Sequence, residues 1–263
     1  MKNYYYVHTG HRVGLDRFRR SVVIMKELQN RGIDITLLCS DFRIANEAKS
    51  FGIEKTVGID VVRNIPQISH HGDRLIFDSD EANPIMLEDM KEYFSTFDHI
   101  KQDEIVVDSK YFEKTAKKIP LGFFFGDDDY EKDLERLIPA LKELDSALLL
   151  GYYYFFDYED MLKDNFTNCY EFEDYDEFVT SCEVLITSSP QAALECLASG
   201  GKPIYLQRKD ALLNVKESFE TLNIPYVKYD EFYHINEIIS TISNHMYQPI
   251  CRNSLNFLSF IDN

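Results

Sequence analysis

Over its first half the chain alternates short apolar runs with stretches whose apolar residues recur at helical spacing. Tyr4–Val7 is a β-prone run, and a polar turn from His8 to Arg17 follows it. Between Arg19 and Leu28, residues Val22, Val23, Met25 and Leu28 crowd one helical face, and Gly32 supplies a C-cap. Ile33–Cys39 predicts a second strand. Ser40 or Asp41 then caps a helix carrying Ile44, Ala45, Ala48 and Phe51, which Gly52 ends. Arg74–Phe77 and Glu104–Val107 predict two further buried strands, each followed by Asp-Ser (Asp78-Ser79 and Asp108-Ser109). This βα rhythm predicts a parallel, doubly wound α/β sheet, in which ligands sit beyond the carboxyl ends of the strands.

Near Lys118–Pro120 the pattern restarts, which divides the chain into residues 1–119 and 120–263. Leu121–Phe125 predicts a strand, Gly126–Asp129 a turn, and Tyr130–Leu144 an amphipathic helix. Ala147–Leu150, a helix near Tyr158–Asp164 and a short helix over Asp176–Cys182 come next. The strand Val184–Ile186 then runs into Thr187-Ser188-Ser189, Pro190 opens a helix, and Gly200-Gly201 closes it. Ser189 suits the N-cap, and Pro190 suits the first helical position, where a missing N–H costs nothing. Exposed amides at such a helix start form an anion site, and Glu195 in the same helix offers a carboxylate to ribose hydroxyls. Their plainer reading is a cap and a surface ion pair. Ile204–Leu206, a helix near Asn214–Leu222, the strand Tyr226–Val227 and two terminal helical patterns (Ile235 to Met246, then Leu255, Leu258, Ile261) complete this half.

Composition narrows the partners. Hydrophobic residues make up 44% and aromatics 14% of 263 residues, enough to build two cores. A net charge of −17 repels nucleic acid and anionic lipid, so neither is expected as a main partner. The five cysteines lack CxxC spacing and at least four of them read as buried thiols, and no run is long enough to span a membrane, so a cytoplasmic, soluble protein is expected. His70-His71-x-Asp73 lacks the spacing of a metal site, and no metal or cofactor is called for.

Several motifs, taken in order, resemble those of GT-B sugar-nucleotide enzymes: the UDP-sugar hydrolases of pseudaminic acid biosynthesis, and more distantly the peptidoglycan UDP-N-acetylglucosamine transferases. Residues Arg20 to Gly32 look like the first helix after that family's Gly-x-Gly-His-x-x-Arg turn. Phe125-Gly126-Asp127-Asp128-Asp129 looks like its Phe-Gly-Gly-Ser/Thr-Asp turn. Glu195, Gly201 and Pro203 match its Glu-bearing helix and Gly-x-Pro, and Asn214 stands where an Asn-Gln pair opens a later helix. The resemblance implies two Rossmann-like parallel-sheet domains facing a cleft, and hydrolysis or transfer at the anomeric carbon of a UDP-linked sugar with release of UDP. Surface glycan or nonulosonic acid synthesis is the implied setting.

The departures from that pattern bear on chemistry. Alignment on Arg20 retains Gly14 but puts Asp16 in place of a glycine and Arg17 in place of the histidine that serves as general base. A guanidinium cannot accept a proton at neutral pH. His11, His8 and Asp16 are the replacements on offer; both histidines also read as ordinary loop residues. Arg17, Arg19 and Arg20 could balance phosphate, with Arg20 equally suited to a structural ion pair. Asp127 replaces a glycine, and a carboxylate about 4 Å from a phosphate charge costs on the order of 4 kcal/mol at an effective dielectric of 20. One of Asp127–Asp129 is therefore expected to cap its own helix. The expected site comprises His11, Asp16 and Arg17 for catalysis, Arg20, Ser188, Ser189 and Glu195 for nucleotide and phosphate, and Gly14, Asp78 and Asn214 for substrate. The alternative is a catalytically degenerate relative that binds a sugar, nucleotide or protein partner.

Overall fold

The computed structural model of the chain describes residues 1–210, 215–251 and 258–261. It contains two parallel sheets with helices, the α/β class that the alternating pattern predicts. Contacts group the chain into two compact units. Unit 1 is Met1–Gly10, Arg17–Val106 and Asn253–Asn263; unit 2 is His11–Asp16 and Val107–Arg252.

In unit 1 the strands are β1 (Asn3–Val7), β2 (Ile35–Cys39), β3 (Thr56–Gly58), β4 (Arg74–Asp78) and β5 (Thr96–His99). They pair in the order β3-β2-β1-β4-β5, with Tyr5 opposite both Leu37 and Ile76. Helices α1 (Asp16–Asn30), α2 (Phe42–Glu47), α3 (Ile65–Ile68) and α4 (Pro84–Tyr93) connect them. A parallel strand covered on both faces has no polar side, which is why Tyr4–Val7 and Leu75–Phe77 are uninterrupted runs of buried residues. Asp41 caps α2 through the amide of Arg43, and Asn83 caps α4 through that of Met86, followed by Pro84. The last strand of this sheet is Thr96–His99; Glu104–Val107, expected as a strand, joins neither ladder. Val106 and Val107 are nevertheless buried, so a short apolar run reported burial correctly and pairing incorrectly.

Unit 2 carries β6 (Ile119–Phe124), β7 (Ala147–Leu149), β8 (Cys169–Tyr170), β9 (Cys182–Thr187), β10 (Lys202–Gln207) and β11 (Tyr226–Lys228), in the order β11-β10-β9-β6-β7-β8. Its helices are α5 (Ile138–Glu143), α6 (Phe156–Asn165), α7 (Tyr175–Ser181), α8 (Pro190–Ala198), α9 (Lys216–Leu222) and α10 (Ile235–Thr241). The long helix expected over Tyr130–Leu144 is instead a 3-10 turn, Asp133–Leu137, followed by α5. Pro139 lacks the N–H that a continuous helix needs and its ring crowds the preceding turn, so α5 starts afresh there. A core of Phe123, Phe125, Leu148, Ile186, Ile204 and Leu206 lies on one face of this sheet. Phe124, Leu149, Phe178, Leu185, Ala192 and Cys196 form a second core.

Of the expected terminal helices, the first is α10 with a 3-10 turn at Ile242–Asn244. The second reduces to Ser259–Ile261, and Leu255 lies outside the described residues. In unit 1 the Arg74 guanidinium sits 4.3 Å from the centre of the buried Phe260 ring and donates to the Phe260 carbonyl at 2.9 Å. Cys39, Cys182 and Cys196 are buried thiols, whereas Cys169 is half-buried and Cys251 exposed. Among the described residues no helix is long and apolar enough to cross a membrane.

Candidate functional site

β9 ends at Thr187, and the turn Ser188-Ser189 leads into α8. Thr187 Oγ1 accepts the Ser189 amide at 3.0 Å, and Ser189 Oγ accepts the amide of Ala192 at 3.0 Å, the N-cap bond expected of it. The Ser189 hydroxyl donates in turn to Asp16 at 2.6 Å, and the Gln191 amide donates to the other Asp16 oxygen at 3.3 Å. The anion at the start of α8 is therefore a side chain of the protein itself, held by a charge-assisted bond and the positive end of the helix.

The three aspartates that follow β6 are buried, and each has a different task. Asp127 accepts the Leu15 amide at 3.2 Å. Asp128 accepts the Tyr130 amide at 3.2 Å and turns its other oxygen to His11 Nδ1 at 3.4 Å. Asp129 takes the amides of Asp133 and Leu134 at 2.9 and 3.0 Å and the Tyr158 hydroxyl at 2.5 Å, so it is the one that caps. Burial raises the Asp129 pKa, and these hydrogen bonds offset only part of the rise. Close behind, Gly151 admits the chain: a Cβ there would lie 2.5 Å from Gly126 O and 2.7 Å from the Asp127 carbonyl carbon.

Arg208, just past the end of β10, is the buried cation of this region. It lies 4.6 Å from the Phe125 ring centre, donates to the carbonyl oxygens of Phe125 and Asp128, and is paired with Asp210 at 2.8 and 2.5 Å. The sequence reading passed over it; the available signal was an arginine at the carboxyl end of an apolar strand, where ligand-facing residues collect. Gly14 (φ +74°), Asp16, Asp127, Asp128, Ser188 and Arg208 line a cavity of about 50 Å³. That volume admits a few waters or one small polar group. Ser188 Oγ and Asp128 Oδ1 are buried beside it without a hydrogen-bond partner.

His11 stacks on Phe155, with ring centres 5.4 Å apart and planes 8° from parallel, and tilts against Tyr153 at 5.0 Å. A candidate base thus meets a run of five consecutive aromatics, Tyr152–Phe156. Glu195, only 1% exposed, accepts the Tyr175 hydroxyl at 2.7 Å and Gln191 Nε2 at 2.8 Å. Unit 1 holds the other predicted residues. Arg20 grips Asp78 through two bonds at 3.0 and 2.5 Å, and Tyr5 adds a third at 2.9 Å. Arg17 lies 3.8 Å from Asp78 and pairs with Asp80. Asn214 lies outside the described residues. Among the described residues no three His, Cys, Asp or Glu side chains converge as metal ligands.

No family model and no curated protein matches this sequence. Solved structures do match in fold. The UDP-GlcNAc 2-epimerase of Methanocaldococcus jannaschii, solved with UDP-GlcNAc and UDP, covers 100% of this chain and 99% of its own at 10% identity, with a TM-score of 0.64. MurG of Acinetobacter baumannii covers 93% and 92% at 13% identity with a TM-score of 0.51. The heptosyltransferase WaaC of E. coli, solved with ADP, covers 93% and 99% at 9% identity, also with 0.51. The chain therefore has the GT-B-like fold; at these identities the likeness carries the fold alone.

Proposed function

We propose that this protein recognises and processes a nucleotide-linked sugar, with His11 as the proton acceptor and Asp128 orienting and stabilising its ring. The observation that carries this reading is the His11–Asp128 pair at 3.4 Å, on an aromatic shelf at the carboxyl end of β6. A histidine whose Nδ1 faces a buried carboxylate presents Nε2 outward as base, and the carboxylate stabilises the imidazolium that forms. In hydrolysis, His11 takes a proton from water, the water oxygen bonds to the anomeric carbon, and the bond from that carbon to the diphosphate breaks. Its electron pair leaves with the nucleotide diphosphate. The M. jannaschii neighbour holds UDP-GlcNAc and UDP, which supports a uridine diphosphate sugar as first choice. Surface glycan or nonulosonic acid synthesis, within the cytoplasm, is the proposed setting, on the strength of the sequence resemblance.

The diphosphate must displace Asp16 from the start of α8. That carboxylate already uses the Ser189 hydroxyl and the Gln191 amide, and like charges cannot share them. With Asp16 swung aside, Ser188 and Ser189 bind phosphate, Gly14 leaves room beside them, and Arg208 balances charge from below. Arg17 and Arg20 are assigned to unit 1, where they fix Asp78 and Asp80. The sealed Glu195 and the seated Asp16 favour a second reading, in which turnover is lost and the protein only binds a sugar, nucleotide or protein partner.

Calorimetric titration with UDP and UDP-N-acetylglucosamine, followed by assay of released UDP, tests both. Turnover abolished by His11→Ala with binding retained supports the first. Binding without turnover, indifferent to His11→Ala, selects the second, and no binding at millimolar ligand removes the sugar-nucleotide reading.

A further inference from the structure

A cavity of about 260 Å³ opens between α3 and α4 of unit 1. That is just under the span of about 300–1,000 Å³ usual for drug-sized ligands, so its guest is small. Helix α3 is a single turn, Ile65–Ile68, too short to cover the flank of α4. Val62, Ile65, Met90 and Phe94 form the floor and are buried members of the unit 1 core. Met86 and Tyr93, partly buried, pack against that core and form the walls. Tyr93 is already held in place: its hydroxyl donates to Ser69 O at 3.2 Å, and its ring meets Phe94 at 5.0 Å and His71 at 5.7 Å, both edge to face. Two thioethers and two aromatic rings favour an aromatic or sulfur-bearing guest, because ring–ring and sulfur–ring contacts add to the burial of apolar area.

Two charged residues line the same cavity, and their signs are opposite. Arg63 lies in the 3-10 turn Val62–Asn64 that precedes α3, Asp89 lies on α4, and both are exposed. Among the described residues neither side chain makes a hydrogen bond or an ion pair, with the other or with any neighbour. Glu88 and Lys91, which flank Asp89 on α4, answer each other at 2.7 Å. A guest carrying one charge would leave either Arg63 or Asp89 unanswered. A neutral guest with separated charges answers both.

We infer that this cavity binds a free hydrophobic α-amino acid, aromatic or methionine-like. Its side chain rests on Met90 and Phe94, its carboxylate meets Arg63 and its ammonium meets Asp89. The planar guanidinium suits a carboxylate through two parallel bonds, and a carboxylate accepts readily from an ammonium. A guest with a charged side chain would carry that charge onto an apolar floor, where nothing offsets the loss of water. The cavity shares no residue with the one beside Ser188, so its occupancy does not rest on the sugar-nucleotide function proposed above.

Calorimetric titration of the full chain with phenylalanine and with methionine tests the inference. Saturable binding of at least one of them at millimolar concentration or below is expected. Phenethylamine and hydrocinnamate, each lacking one of the two charges of phenylalanine, are expected to bind at least about tenfold more weakly than phenylalanine. Alanine keeps both charges but cannot fill the floor, and the same loss is expected of it. Arg63→Ala and Asp89→Ala alter exposed side chains that hold nothing else in place, so thermal unfolding should match the parent. Each is expected to weaken amino acid binding at least about tenfold. No binding of phenylalanine or methionine overturns the inference. So does binding of phenethylamine or hydrocinnamate as tight as that of phenylalanine, or binding that survives both substitutions unchanged.

Discussion

The carboxyl ends of the two sheets handle buried carboxylates in different ways. Beyond β1 and β4, Asp78 is fully buried and answered by the Arg20 fork, the Tyr5 hydroxyl and the edge of Arg17. Beyond β6 and β9, the buried Asp127, Asp128 and Asp129 and the half-buried Asp16 rely mainly on amides and hydroxyls; Asp128 lies 3.9 Å from the buried Arg208 guanidinium, whose own partner is Asp210. Ser188 Oγ remains without a hydrogen bond there, and Asp128 Oδ1 faces the His11 ring nitrogen at 3.4 Å. A saturated ion pair fixes structure and has little left to offer a ligand. A site with surplus acceptors and a borrowed anion on a helix start still has binding capacity to exchange.

Removing the arginines should separate the two ends most strongly. Arg20→Ala strands Asp78 in the core and is expected to cost about 3–5 kcal/mol in urea unfolding. Arg208→Ala is expected to cost less, about 2–3 kcal/mol, because its partner Asp210 is 22% exposed and can rehydrate. A larger loss for Arg208→Ala would reverse the comparison. Gly151→Ala forces a Cβ against the backbone of Gly126 and Asp127 and should cost roughly 1–3 kcal/mol, with no Ala-sized void to receive it. Ser189→Ala removes the α8 cap and one of the Asp16 bonds, a loss of about 1 kcal/mol that thermal or urea unfolding would register.

Acid should act on the two ends with opposite signs. His8 has a lowered pKa, so the unfolded chain takes up its proton first. Stability is then lost as pH falls from about 6.5 through the lowered value. Burial pushes the Asp80 pKa up, but Arg17 and Gln102 outweigh it and hold the carboxyl low; its contribution is present above about 3.8 and lost below. The raised Asp129 does the reverse, since its folded form protonates first and acid relieves its burial. Urea midpoints measured from pH 8 to 4 should fall less in His8→Gln than in the parent and should fall more in Asp129→Asn.

Much of the fold was legible because parallel strands are continuous apolar runs: Tyr4–Val7, Leu121–Phe124 and Val184–Ile186 announce themselves. Thr96–His99 did not, since half-buried edge positions alternate polar and apolar residues, and Glu104–Val107 mimicked a strand by being buried. At the site, Ser189 and Pro190 were readable from local capping chemistry. The partners of Asp16 and His11 were not, because their contacts join segments more than a hundred residues apart. Arg208 required knowing that β10 ends beside β9. Glu195 read as a ribose ligand or as half of a surface ion pair, and its burial against Tyr175 was not readable from its helix alone.

The affinity of UDP for the parent protein and for Asp16→Asn, measured by calorimetry under one buffer, is the most direct measurement of the central claim that a side-chain carboxylate holds the α8 anion seat. Removing that charge should tighten UDP at least about tenfold, since a like charge near 4 Å is worth more than 1.4 kcal/mol even under partial screening. Equal or weaker binding by Asp16→Asn would contradict the claim.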